Sequence, residues 1–207
     1  RPPFMLTSFK LIPPKEATLI EKYNINDITV EIWRIPGGIR DFYYIIPPEF
    51  KLSPEKYSIL NVAYRTLVGR RPPEEIAEPE RAREIFFEMG IEIVKDLAER
   101  IGIRLSKAEI EELATILVRY TAGFGVLELL LADEKIQDVY INSPIGTTPI
   151  YVVHSDFEEC ETNLIPSSED AEAWATRFRL YSGRPLDEAN PVLDTELVVP
   201  GGRARVC

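Results

Sequence analysis

The residues best suited to chemistry are arginines in the last third of the chain, and the chemistry they suit is anion binding. Arg177 and Arg179 fall in a helical pattern, Arg184 follows Gly183, and Arg203 and Arg205 alternate with Ala204 and Val206. Side chains two apart on a strand point to the same side, so positions 203 and 205 share a face. Guanidinium forks match phosphate oxygens, and two or three of these groups converging would form an anion site. Ion pairs to Asp187, Asp194 and Glu196 are the alternative, and the residues alone leave both open. Other chemistry is sparse. No G-x-x-x-x-G-K-[ST] phosphate loop occurs, and the glycine pairs at 37/38 and 201/202 read as tight turns. The single histidine, His154, excludes a His-rich metal site and reads as structural. It could pair with Cys160 as base and nucleophile only through the accident of folding, with no glycine-rich elbow to support it. Glu158 and Glu159 sit in an acidic stretch without the placement that acid–base work requires. By its residues, the chain holds no self-sufficient active site.

Composition narrows the class further. The 207 residues carry a formal charge of −10, spread as +4 over 1–71, −8 over 72–134 and −6 over 135–207. Such a surface lacks the lysine and arginine excess that neutralises nucleic-acid phosphates, so no nucleic-acid partner is expected. Two cysteines, Cys160 and Cys207, imply no disulfide framework. No apolar run approaches the length of a membrane span. The abrupt start and the end inside RARVC suggest an excised fragment.

The elements that must position the arginines follow from periodicity. Residues 1–19 are proline-rich and read as an arm. Ile28–Ile35 and Asp41–Ile46 alternate around Pro36-Gly37-Gly38 as a hairpin. Its aromatics Trp33, Phe42, Tyr43 and Tyr44 read as sheet packing, with a peptide-docking face as the other possibility. Ser53-Pro54-Glu55 starts a helix carrying Ile59, Leu60, Ala63 and Leu67, ending near Gly69. A stripe through Ile85, Met89, Ile93, Leu97 and Ile101 predicts a second helix over 79–101. Ser106-x-x-Glu109 is a capping box for a third, with Ile110, Leu113, Leu117 and Tyr120 inward. Val126–Leu131 reads as a short apolar turn added to this bundle. Strands are expected at 136–142 and 150–153, an acidic loop at 155–163, and a helix at 171–182 with Trp174 and Phe178 inward. Two last strands flank Pro200-Gly201-Gly202. The division is an arm and hairpin over 1–52, a helical domain over 53–135, and an α+β domain over 136–207, expected to be PAS-like with a curved antiparallel sheet.

One stretch carries a resemblance. GFGVLELLLADEKIQDVYIN (residues 123–142) resembles the G-x-G-x-L-E-x-L-L-x-D…I-x-D-[IV]-x-[IV]-N segment of the secretion ATPase superfamily. That superfamily comprises the type II and type IV secretion, pilus-assembly and archaellum motor ATPases. The pattern continues in order through Tyr151-Val-Val-His154, Glu161-Thr162-Asn163, and Ser182-Gly-Arg-Pro-Leu-Asp187 to Arg205. Departures occur at Glu196 and at Val198–Gly202. Tyr43–Leu52 more loosely resembles the Y-x-[VI]-x-P-P-x-L segment of archaeal members. The resemblance implies the N-terminal region of a hexameric motor ATPase whose RecA-like catalytic domain, with its Walker boxes, lies beyond Cys207. It further implies that Arg184, Arg203 and Arg205 contact nucleotide phosphates, with ATP and Mg²⁺ held by the full-length protein. By itself the fragment would be inactive. A cytoplasmic location at the inner membrane face, docked on a polytopic platform protein, is also implied. A non-catalytic protein-interaction or ligand-sensing domain is the alternative.

Overall fold

The computed structural model describes residues 5–70, 79–182, 195–199 and 202–206, with side chains for all of these except 79–80, 180–182 and the last two segments. In chain order the elements are β1 (Ser8–Phe9), β2 (Thr18–Ile25), β3 (Ile28–Arg34), β4 (Asp41–Ile46), α1 (Pro54–Gly69), α2 (Pro79–Ile101), α3 (Lys107–Thr121), α4 (Val126–Leu131), β5 (Ile136–Tyr140), β6 (Tyr151–His154), β7 (Glu158–Thr162), β8 (Leu164–Ile165), α5 (Ser168–Ser182), β9 (Thr195–Val199) and β10 (Gly202–Val206). The fold is α+β, with two compact units. A helical unit holds Glu49–Gly125 with Arg1–Met5, and a sheet unit holds Leu6–Pro48 with Val126–Cys207.

In the helical unit, local signals set each helix. The Ser53 hydroxyl accepts from the Lys56 amide at 3.3 Å, and Pro54 occupies the first turn, where its missing N–H costs nothing. Ser106 and Glu109 complete a reciprocal box: the Ser106 oxygen accepts from the Glu109 amide, and Glu109 accepts from the Ser106 amide. The apolar stripes face inward as expected at Ile59, Leu60, Ala63, Leu67, Ile93, Ile110, Leu113 and Leu117. Ile101 does not: at the last position of α2, beside the left-handed Gly102 (φ 75°), it is 53% exposed. At Gly90 α2 passes over Ala114 of α3 with room for a methyl group at ordinary contact distance.

The sheet unit is an eight-stranded mixed sheet in the order β2-β3-β4-β7-β6-β5-β10-β9. Pairing is antiparallel except at β4–β7 and β5–β10, which are parallel. The hairpin assigned to a separate arm therefore shares one sheet with the C-terminal strands, and the helical segment is inserted in sequence between them. The turn Val126–Leu131, grouped above with the bundle, belongs to the sheet unit. Four strands depart from the expectation, the two-residue β1 and β8 and the longer β2 and β7. β2 lies where no strand was expected. Its side chains are all exposed or half-exposed, as an edge strand's can be, so it lacks a strong apolar alternation. The Asn26-Asp27 turn, with Asn26 left-handed at φ 53°, was the readable sign of a two-residue hairpin. β7 replaces most of the expected acidic loop. Its inward residues are Cys160 and Thr162, small side chains that make a weak period-2 signal among three glutamates.

One face of this sheet is core. Val30, Ile32, Tyr43, Ile45, Val139, Val152 and Cys160 are fully buried on it. Asn163 joins β4 to the β7 end: its amide accepts from Ile45 N–H at 2.9 Å and donates to Ile45 C=O at 3.0 Å. At the start of α5, Ser167 and Asp170 exchange backbone-to-side-chain bonds, and Thr7 donates to the same carboxylate at 2.6 Å. Trp174 and Phe178 of α5 are buried as expected. Gly183, expected to cap that helix, lies outside the described residues.

Candidate functional site

β10 carries Arg203 and Arg205, and the backbone fixes their register. Arg205 lies opposite Glu196 on β9 and Asp138 on β5, whereas Arg203 lies opposite Val198. Both occupy one side of the strand by alternation. Their side chains, and Arg184 altogether, lie outside the described residues. α4 lies against β10 in the same unit.

The most developed polar constellation on the described side chains was not anticipated. Asp133, at the turn after α4, is 3% exposed and accepts three bonds. Tyr43 donates to its Oδ2 at 2.8 Å, Tyr23 donates to the same oxygen, and the Lys135 amide donates to Oδ1 at 3.0 Å. His154 joins through Tyr23, with Nε2 3.0 Å from the Tyr23 hydroxyl. Its Nδ1 accepts from the Asp156 amide at 3.1 Å. The Tyr23 proton is committed to Asp133, so the bonds assign the neutral Nε2–H tautomer to His154, donating to the Tyr23 oxygen. Burial lowers the His154 pKa, against the opposing pull of the Asp133 charge. Burial, then Asp133, raises both tyrosines, Tyr43 far above its ordinary value. Lys135 covers the cluster from outside, 4.9 Å above the Tyr23 ring and paired with Asp156 at 3.3 Å. Such a network locks β2, β4, β6 and the α4–β5 turn together.

The other candidates resolve plainly. His154 lies opposite Glu158, whereas Cys160 lies opposite Val152, and the Cys160 thiol is directed at the Phe157 and Glu158 carbonyls. Burial pushes that thiol up to about 12, so no thiolate nucleophile forms. Glu158 and Glu159 are exposed, and Glu159 pairs with Arg40 at 3.4 Å. In the helical unit, the fully buried Glu49 accepts from Arg119 and from Tyr120, each at 2.7 Å, and forms a structural anchor. Among the described residues no group of three His, Cys, Asp or Glu side chains could hold a metal ion. Nor is any helix among them long and apolar enough to cross a membrane.

No family model matches the chain. It is 26% identical over 107 residues to the uncharacterized protein MJ1288 of Methanocaldococcus jannaschii, covering 51% of the chain and 42% of that protein. It is 22% identical over 186 residues to the uncharacterized protein MJ0781 of the same organism, covering 88% of the chain and 24% of that protein. The chain thus spans less than half the length of either of these curated relatives.

Proposed function

We propose that the chain is the N-terminal region of a hexameric motor ATPase of the secretion superfamily, working with a RecA-like catalytic domain elsewhere in the full protein. The observation that carries this reading is topological. Motif segments scattered between Gly123 and Arg205 meet as the adjacent strands β7, β6, β5 and β10, with the G-x-G-x-L-E helix α4 against β10. A resemblance made of individually weak pieces gains weight when those pieces form one surface. The alignment with MJ0781 also supports it, because about three quarters of that protein lie outside the match, room enough for a catalytic domain.

In this reading the β10 arginines, with Arg184, meet the phosphates of ATP held by the catalytic domain and stabilise charge as the γ-phosphate departs. The fit is partial and sensible. Guanidinium chemistry suits phosphate, and in this reading the other domain ligates Mg²⁺. Docking at the cytoplasmic face of a membrane platform protein belongs to the same proposal. Arg203→Ala or Arg205→Ala in the full-length protein is the test. Loss of a water-excluded phosphate contact lowers hydrolysis by roughly 2–4 kcal/mol of barrier, on the order of 30- to 1000-fold, with a near-normal melting temperature. The isolated chain should show no turnover. Normal hydrolysis in both variants overturns the proposal.

A further inference from the structure

Opposite the core face, the sheet presents a continuous cross-strand row. Register places Leu19, Trp33, Phe42, Glu161, Tyr151 and Tyr140 side by side across β2, β3, β4, β7, β6 and β5. Leu19 is exposed and the other five are half-buried, so each keeps surface in solvent although Tyr43, one residue from Phe42, is fully buried. From Trp33 to Tyr140 the row crosses four strand spacings, about 19 Å. An extended segment of about six residues covers that length.

Two observations define what such a segment must carry. Arg40 already stacks its guanidinium on the Tyr151 ring, 5.1 Å from the centroid, so the row's aromatic surface accepts a cation. Glu161, in the centre of the row, accepts from the Tyr151 hydroxyl at 3.2 Å, and among the described residues no lysine or arginine lies within ion-pair distance of it, Arg40 pairing instead with Glu159. A half-buried carboxylate between aromatic faces is complementary to an arginine that stacks and pairs at once. We infer that this face is a docking surface for an extended, arginine-bearing segment of a partner protein, with Glu161 as the central ion-pair residue. The inference stands whether or not the chain belongs to a motor ATPase.

The test is a titration of the chain with a decapeptide of alternating arginine and threonine, and with its glutamate counterpart, followed by Trp33 fluorescence. The other tryptophan, Trp174, is buried. The arginine peptide should bind saturably and the glutamate peptide should not. Glu161→Lys should weaken binding at least about tenfold, and Glu161→Gln by a smaller factor. Glu88→Lys on α2 makes the same charge change on an exposed residue of the helical unit, and should leave binding unchanged. Equal weakening by Glu88→Lys shows attraction to net charge alone and overturns the inference. So does unchanged binding in both Glu161 variants, or the absence of saturation at millimolar peptide. Sedimentation that finds a dimer abolished by Glu161→Lys assigns the face to a second copy and also overturns it.

Discussion

Tyr43→Phe is the sharpest probe of the buried Asp133 network. The substitution keeps the ring, so no cavity larger than a hydroxyl opens around a side chain that is wholly buried. What it removes is one of three donors to an ionised carboxylate, a bond of 2.8 Å. Hydrogen bonds to charged groups contribute roughly 1.5–3 kcal/mol, and the Asp133 oxygen, only 3% exposed, is left with the Tyr23 bond alone. A loss of about 2 kcal/mol is therefore expected. It lowers the melting temperature by about 4–8 °C in a chain of this length. Tyr44→Phe is the internal control. Tyr44 is almost as buried, but its hydroxyl makes only a long 3.4 Å bond to the neutral Ile12 carbonyl. That variant should lose well under about 1 kcal/mol. Urea denaturation of wild type, Tyr43→Phe, Asp133→Asn and the double variant closes a thermodynamic cycle. If the Tyr43 bond draws on the carboxylate charge, its cost falls by about 1 kcal/mol or more once Asn replaces Asp133. An equal cost in both backgrounds, or a Tyr43→Phe effect no larger than the control's, would refute the assignment of Asp133 as the network's ionised hub.

Three further outcomes follow from the same geometry. His154 has a folded-state pKa below its unfolded value near 6.5, so its contribution is complete above that pH and is lost as pH falls below it, by up to about 1.4 kcal/mol per pH unit; urea melts at pH 7.5 and 5.5 should show this slope reduced in His154→Gln. Gly90→Ala should stabilise α2 by roughly 0.5–1 kcal/mol, since the new methyl meets Ala114 Cβ at 3.5 Å, an ordinary contact; a lower melting temperature would show that α2 and α3 are packed too tightly to yield. Asn163→Asp should cost about 3 kcal/mol or more by setting a buried carboxylate oxygen against the Ile45 carbonyl, read as a lower melting temperature with faster amide exchange at Ile45.

What could be read in the sequence was what neighbouring residues decide among themselves. Ser106 and Glu109 are three apart and satisfy each other's backbone, and Ser53-Pro54 acts within one turn, so the starts of α1 and α3 were legible. The α+β class followed from the change of period after Asp133. The sheet order did not, because β4 pairs in parallel with β7 across more than a hundred residues, with the helical unit lying between them in sequence. No local pattern announces an insertion of that kind, and a hairpin bounded by Pro47-Pro48 looks complete. The Asp133 network was hidden for the same reason: its tyrosines, histidine and aspartate come from four segments that only the strand order brings together. At the β10 arginines, alternation places 203 and 205 on one side, and the backbone adds that Arg205 alone has carboxylate positions, Asp138 and Glu196, on both flanking strands.

Register also separates the aromatic residues that composition treats alike. Tyr43 and Phe42 are adjacent, β-forming and similar in size, yet the pleat sends Tyr43 into the core against Asp133 and Phe42 to the half-open row with Trp33 and Glu161. Sheet packing therefore holds for Tyr43 on one side of β4 and for Tyr44 on the other, whereas Trp33 and Phe42 stay half-buried. A strand buried on one side turns every second residue away from that core, and such a residue is buried only where another segment covers it, as at Tyr44 beside Ile12. Trp33 and Phe42 have no such cover: they stay half in solvent around Glu161, which among the described residues has no lysine or arginine within ion-pair distance, and that difference from Tyr44 carries the docking proposal.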